Sequence, residues 1–375
     1  GSLSGILTDG QIGVIEMLIA TAIGGIIYSF LSAQPLILLG GTGPIVIFTA
    51  LLLLTCKYFN LDFLPIYSWT GIWAGLILII LSLINASNLM RYFSRFTDDV
   101  FSALVSIIFI IEAVKNITNG FNGMSLMDDV PGIFGMFLAG GTCILAFIFR
   151  SSPKIFEKHK LFFKILTDFA PSLTIIIMSL IFILAPEVNI KAPTLPDSIK
   201  LTTSGRSWLI DIWSIPFIIK LLTIIPAFFA AVLLYLDQNI TCHIINESEV
   251  PLKKGHGYHL DLLLVGTMTM VFSVFGLPWI VAATVHSVNH LKGLTKISDE
   301  NVSTPIYVEE NRISAFMIHF SIGLSLFGLA YIALIPMPVL FGLFIYMGFV
   351  SLQGNPFFFR TISLFIPVFQ IYCRK

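Results

Sequence analysis

Along this chain the polar positions gather into short connections and the apolar positions into long blocks. The blocks reach about 20 residues, the length that crosses a hydrocarbon core. They predict eleven or twelve membrane segments, near 11–32, 33–58, 64–87, 100–117, 131–149, 165–186, 214–243, 259–275, 276–291, 312–335 and 337–353, with a further apolar stretch at 357–372. That last stretch is interrupted by Pro367 and reads as an interfacial helix or an incomplete span. The fold class expected is an all-α polytopic membrane protein.

Two of the segments, 33–58 and 276–291, break in the middle. In the first, Gly40-Gly41-Thr42-Gly43-Pro44 supplies the conformational freedom of a turn. It also supplies a proline suited to the first turn of a helix. The expected course is extended over 35–39, then a turn, then a half-helix from about Thr42. In the second, Gly276 and Pro278 precede a half-helix beginning near Val281–Thr284. Such half-helices leave N–H groups unpaired at their starts, with the positive end of the helix dipole behind them. Two that face one another make an anion site, and broken spans in corresponding halves point to an inverted-repeat transporter. Plain proline kinks are the simpler alternative, but each break falls mid-span with small polar residues just beyond it.

Between the breaks lies Ile225–Thr241, an apolar helix carrying one carboxylate, Asp237, well inside the run. An acid at membrane depth is costly and marks an ion or substrate path. Thr241 lies one turn on and shares its face, so its hydroxyl could help complete a cage of oxygens for a hard cation. Glu112 and Asp261 read as helix-end or packing residues, and Lys220 as a side chain that snorkels outward. His286, a turn into the second half-helix, either lines the site or is a satisfied structural histidine.

Composition narrows the function classes. Of 375 residues, 56% are hydrophobic and only 11% charged, against about 25% charged in ordinary soluble domains. The balance of 21 basic and 21 acidic residues gives no case for nucleic acid. Cys56, Cys143, Cys242 and Cys373 fit no metal or disulfide spacing. No nucleotide motif is present, which argues against a primary pump. Twelve basic residues share one side if both broken segments cross: Arg91, Arg95, Arg150, Lys154, Lys158, Lys160, Lys164, Lys253, Lys254, Lys292, Lys296 and Arg312. Five fall opposite: Lys57, Lys115, Lys191, Lys200 and Arg206. The first side is therefore cytoplasmic and the loop 187–213 extracellular.

The motifs AQPL at 33–36, TGP at 42–44, SRFT at 94–97, LDQNIT at 236–241, KKGHGYHLDLLLVG at 253–266, GLPWIVAATV at 276–285, ENRIS at 310–314 and IPMPVLFGLFIYMG at 335–348 occur in this order. In them the chain resembles the solute-carrier bicarbonate transporter family, which includes anion exchangers, sodium–bicarbonate cotransporters and the more distant borate transporters. The resemblance implies a fourteen-segment inverted repeat, with a core domain that holds the site and a gate domain that often dimerises. Aligned so, the chain enters at the end of the first family helix and stops after the twelfth. The resemblance implies core residues 1–99 and 214–335, gate helices and loop 100–213, and the start of a second gate part at 336–375.

The acid at Asp237 is aspartate in sodium-coupled members and glutamate in anion exchangers. His286 stands where exchangers carry an arginine, and Thr49 replaces a family glutamate. By resemblance Asp237 and Thr241 would hold sodium, and Thr42, Val281, Ala282, Ala283 and Thr284 would meet bicarbonate or carbonate. Gly43 and His286 complete the candidate set. The expected function is secondary transport of bicarbonate or carbonate with sodium, by alternating access, with no cofactor and no covalent chemistry. The expected surroundings are membrane lipid, in the plasma membrane, and a second copy bound through the gate helices. Alternatives are electroneutral chloride/bicarbonate exchange, borate transport, or a non-transporting truncated membrane partner.

Overall fold

Glycine and proline positions decide where this chain stops being helical. The computed structural model describes residues 1–86, 95–120, 129–155, 166–167, 169–185, 188, 200–203, 205–247, 252–254, 257–297, 305–353 and 355–365. Arg91, Lys158, Lys160, Lys164 and Lys191 of the orientation argument lie outside these residues, as does the stretch 366–372.

In chain order the elements are α1 (Ser2–Leu7), α2 (Val14–Leu31), β1 (Leu39–Gly40), α3 (Gly43–Tyr58), α4 (Phe63–Leu83), α5 (Arg95–Thr118), α6 (Val130–Ile155) and α7 (Ala170–Ile183). Then come α8 (Phe217–Leu222), α9 (Ile224–Asn246), α10 (Tyr258–Val274), β2 (Val281–Ala282) and α11 (Thr284–Leu294). The hairpin strands β3 (Thr295–Ile297) and β4 (Pro305–Val308) follow, then α12 (Ile313–Leu324), α13 (Leu329–Ile332), α14 (Met337–Leu352) and α15 (Pro356–Phe365). Both expected breaks are present, each as a two-residue strand followed by a half-helix.

Two of the expected spans are irregular within their length. The segment 214–243 is one apolar span, Phe217–Asn246, in which α8 passes into α9 at Thr223, whose hydroxyl donates to the Lys220 carbonyl at 2.7 Å. The segment 312–335 is the span Ile313–Ile332, which tightens from α12 into a 3₁₀ turn at Ser325–Gly328 before α13, the Ser325 hydroxyl donating to the Ile322 carbonyl at 2.6 Å. Five helices among the described residues, these two included, are long and apolar enough to cross a membrane alone, and Gly43–Tyr58, Ala170–Ile183 and Tyr258–Val274 are shorter apolar helices. Several of the predicted segments are half-helices or short helices. α15 turns 84° from α14, so together they form a sharply bent apolar pair rather than a straight span.

The chain divides into two units, 1–94 with 195–328, and 95–194 with 329–375. The loop residues 195–213, assigned from sequence to the gate helices, belong with the first unit. The reason is electrostatic: Glu16, fully buried in α2, accepts the Thr202 N–H at 2.8 Å and its hydroxyl at 2.6 Å. Arg206 donates to the carbonyls of Gln11 (2.7 Å), Phe275 (3.0 Å) and Gly276 (2.6 Å). In the second unit α14 packs against both α5 and α6.

In the first unit α10 packs along α4, α12 along α2, and α9 against α4. Helices in lipid gain no hydrophobic drive from one another and approach through small residues. A Cβ on Gly75 would stand 2.6 Å from the Gly266 carbonyl oxygen, and one on Gly266 would stand 3.0 Å from that of Gly75. Gly75→Val is therefore expected to cost about 1–3 kcal/mol through overpacking. A thermal midpoint in detergent that stays at the wild-type value would show that the two helices do not meet there.

Candidate functional site

The site is built where the two breaks meet. Leaving α10, the chain turns at Gly276, whose φ of 58° suits glycine. It then runs extended under α4. Trp279, 1% exposed, stacks on Tyr67 with ring centroids 4.5 Å apart. The Tyr67 hydroxyl donates to the Leu277 carbonyl at 3.1 Å, and the Trp279 indole N–H bonds Ser273 Oγ at 2.8 Å. These contacts deliver Val281–Ala282 to the middle of the unit.

The other break is delivered from α2. Arg312 donates to the Ser29 and Ser32 carbonyls at 2.9 and 2.7 Å, closing the end of α2. Buried Asp261 accepts the next N–H, that of Ala33, at 2.7 Å. Its expected role as a packing residue is thus made specific. Leu39 and Gly40 then pair antiparallel with Ala282 and Val281. The short ladder leaves both half-helices, α3 and α11, starting from one place.

Neither start is capped by a side chain. Thr42 precedes α3 and Ala283 precedes α11 in extended conformation, with no side-chain cap bond at either. Their first N–H groups, those of Gly43 and Ile45 and of Thr284, Val285 and His286, have no carbonyl one turn back to bond. Two partial positive charges of about half an electron each therefore converge.

α9 crosses both starts. Asp237 is 2% exposed and accepts a hydrogen bond from the Thr42 hydroxyl. Thr241, fully buried one turn on, lies with its hydroxyl 2.7 Å from that of Thr284 and 3.5 Å from the Ala282 carbonyl. One face of α9 thus touches the first half-helix through Asp237 and the second through Thr241. Of the residues expected from sequence, the structure brings together Asp237, Thr42, Thr241 and Thr284. Gly43 is buried at the first start, and Val281 and Ala282 are fully buried in β2. The Ala283 N–H is already taken by the Leu38 carbonyl at 2.8 Å. His286 is exposed and makes no hydrogen bond among the described residues.

Two side chains behave unlike their sequence reading. Lys220 does not reach outward: it is 7% exposed, and its ammonium lies 4.4 Å from the Trp213 ring centroid and 5.6 Å from that of Trp69. The aromatic faces stand in for water around the cation. Gln238 escaped notice altogether. It is fully buried, accepts the Ala282 N–H at 3.0 Å and donates to the Tyr28 hydroxyl at 2.9 Å. Its signal was available: an amide beside Asp237 inside an apolar run needs partners.

The chain matches the profile of a family described as the HCO3− transporter integral membrane domain, over residues 1–134 and 126–371. It is 35% identical over 97% of its length to sodium bicarbonate cotransporter 3 of Homo sapiens, and spans 36% of that protein. It is 34% identical over 98% of its length to electroneutral sodium bicarbonate exchanger 1 of Mus musculus, spanning 40% of it. It is 33% identical over 98% of its length to the band 3 anion transport protein of Rattus norvegicus, spanning 42% of it. The chain therefore covers well under half the length of these relatives. In fold it resembles the transmembrane domain of the cyanobacterial bicarbonate transporter BicA, with a TM-score of 0.61 at 15% identity, covering 99% of this chain and 95% of that one.

Proposed function

Because the chain belongs to the family of HCO3− transporter integral membrane domains, we propose that it moves bicarbonate or carbonate across the membrane, coupled to sodium, by alternating access. The observation that carries this is the pairing of Asp237 with Thr42 and of Thr241 with Thr284 between two uncapped helix starts. The two starts together amount to about one positive charge, which the Asp237 carboxylate cancels. A bicarbonate entering alone would leave the pocket about one negative charge in excess, and in a low dielectric that excess is expensive. A sodium ion entering with it restores the balance. Asp237 and the hydroxyls of Thr42, Thr241 and Thr284 are the hard oxygen donors such a cation takes. The N–H groups of Gly43, Ile45 and the α11 start then face the anion. In this reading the first unit is the core, and the unit of 95–194 with 329–375 is the gate and dimer contact. The mass of the protein in detergent tests the last point.

Electroneutral chloride/bicarbonate exchange is the second reading, supported by the 33% identity to band 3 anion transport protein. By resemblance the exchangers carry an arginine at the position of His286, a fixed positive charge this chain lacks. Proteoliposomes loaded with a pH dye separate the two. Bicarbonate-driven alkalinisation is expected to stop when external sodium is replaced by a large organic cation and to continue when chloride is removed from both sides. Flux that ignores sodium and needs chloride on the opposite side selects exchange.

A further inference from the structure

A buried run of hydrogen bonds joins the two breaks, and its direction is fixed at both ends. The Ala282 N–H can only donate, and Gln238 Oε1 accepts it at 3.0 Å. The Gln238 amide therefore turns its NH2 the other way, toward the Tyr28 hydroxyl at 2.9 Å and Cys242 Sγ at 3.3 Å. Tyr28, having accepted from Gln238, keeps its own hydroxyl hydrogen to give. It gives it to Asp261. Tyr28 and Gln238 are fully buried and Asp261 is 1% exposed, so each finds its partners inside the protein.

At the other end the same carboxylate accepts the Ala33 N–H at 2.7 Å and the Gln34 N–H. These residues lead from α2 into the first break. The approach is close: any Cβ on Gly257, which precedes α10, would overlap Ala33. Three donors thus converge on Asp261, two from the backbone and one from a phenol. A carboxylate has lone pairs for all three, and Arg312 stands in electrostatic range of it. An amide in its place would turn its NH2 toward at least one of them.

We propose that Asp261 is a positioning residue that anchors both half-helix starts from one carboxylate. It holds the first directly, through Ala33 and Gln34, and the second through Tyr28, Gln238 and Ala282. Without it the Tyr28 hydrogen has Gln238 Oε1 as its remaining acceptor. The amide then turns over and sets its NH2 against the Ala282 N–H. A change at the start of α10 in this way loosens the residue that precedes the start of α11.

Hydrogen exchange of the full-length protein in detergent, resolved to single amides, tests this without any flux. Asp261→Leu keeps the volume and removes every acceptor, so Ala33, Gln34 and Ala282 are each expected to exchange about tenfold faster. Tyr28→Phe removes the hydrogen that would turn, and is expected to speed Ala282 by about threefold or less and to leave Ala33 and Gln34 as in wild type. The two together should bring Ala282 back to the Tyr28→Phe rate while Ala33 and Gln34 stay fast. That non-additivity belongs to a shared hydrogen-bond path; a side chain that only packs would give effects that add. Ala282 at the wild-type rate in Asp261→Leu overturns the proposal, and so does a double variant in which Ala282 stays fast. Should Asp261→Leu fail to fold, Asp261→Asn carries the test: Ala33, Gln34 or Ala282 must exchange at least about threefold faster, and wild-type rates at all three overturn it. A flux arm rests on the transport reading. In proteoliposomes Asp261→Leu is expected to raise the KM for bicarbonate about tenfold with kcat unchanged, and a lowered kcat at wild-type KM counts against positioning. Wild-type vesicles without bicarbonate flux would sink the transport reading while leaving the exchange arm intact.

Discussion

Asp237→Asn is expected to lower sodium-dependent bicarbonate flux by about a hundredfold while leaving the protein folded. The substitution is isosteric, and an amide can still bond the Thr42 hydroxyl that the carboxylate bonds now. What disappears is the one formal charge that balances the starts of α3 and α11. A contact to a charged group is worth about 1.5–3 kcal/mol, and a loss near the top of that range gives the factor stated. Stability should move the other way or not at all, since an ionised acid that is 2% exposed is costly to hold. Two measurements on the same preparation decide it: initial flux at saturating and at zero sodium, and the thermal midpoint in detergent. Flux that keeps its full sodium dependence removes Asp237 from the coupling role. A collapsed midpoint would instead make the acid a structural residue.

Much of this was legible in the chain itself, and the reason is physical. A carboxylate inside a 23-residue helix is so unfavourable in lipid that it announces a site. The run Gly40-Gly41-Thr42-Gly43-Pro44 likewise permits little besides a turn into a helix start. Both are local signals, carried by residues within one turn of each other. The face shared by Asp237 and Thr241 followed from helical spacing alone.

The parts that were not legible depend on partners far along the chain. That Thr241 meets Thr284, that Asp261 holds Ala33, and that Lys220 lies under Trp213 are contacts between elements. Sequence spacing within either element says nothing of them. Lys220 shows the limit well. Snorkelling is the usual course for a lysine near a helix end, and only the arrival of Trp213 from the preceding loop and Trp69 from α4 makes burial tolerable. The grouping of the loop 195–213 with the first unit was hidden for the same reason. Its anchors, Glu16 and Gln11, lie nearly 200 positions away, and Arg206 reaches them and the second break together.

Gln238→Leu is expected to be the most damaging change in the first unit that alters no charge. The side chain joins three elements: its carbonyl takes the Ala282 N–H of β2, and its amide donates to Tyr28 on α2 and lies 3.3 Å from Cys242 Sγ one turn along α9. Leucine fills similar volume but leaves the Ala282 N–H buried without a partner and removes the donor to the Tyr28 hydroxyl, which keeps its bond to Asp261. The orphaned N–H costs about 1–3 kcal/mol, so the thermal midpoint should fall. Flux per folded molecule should fall about tenfold, because Ala282 immediately precedes the start of α11 and its N–H fixes where that start points. Gln238→Glu separates the two effects. Its carboxylate still accepts the Ala282 N–H, so that hydrogen bond and much of the stability should return. It also sets a second negative charge beside Asp237, so anion flux should stay low even where the fold is restored. A leucine variant with the wild-type midpoint and flux would mean that Gln238 does not set the strand. A glutamate variant that transports as wild type would mean that the charge balance between the two helix starts is not what holds the anion.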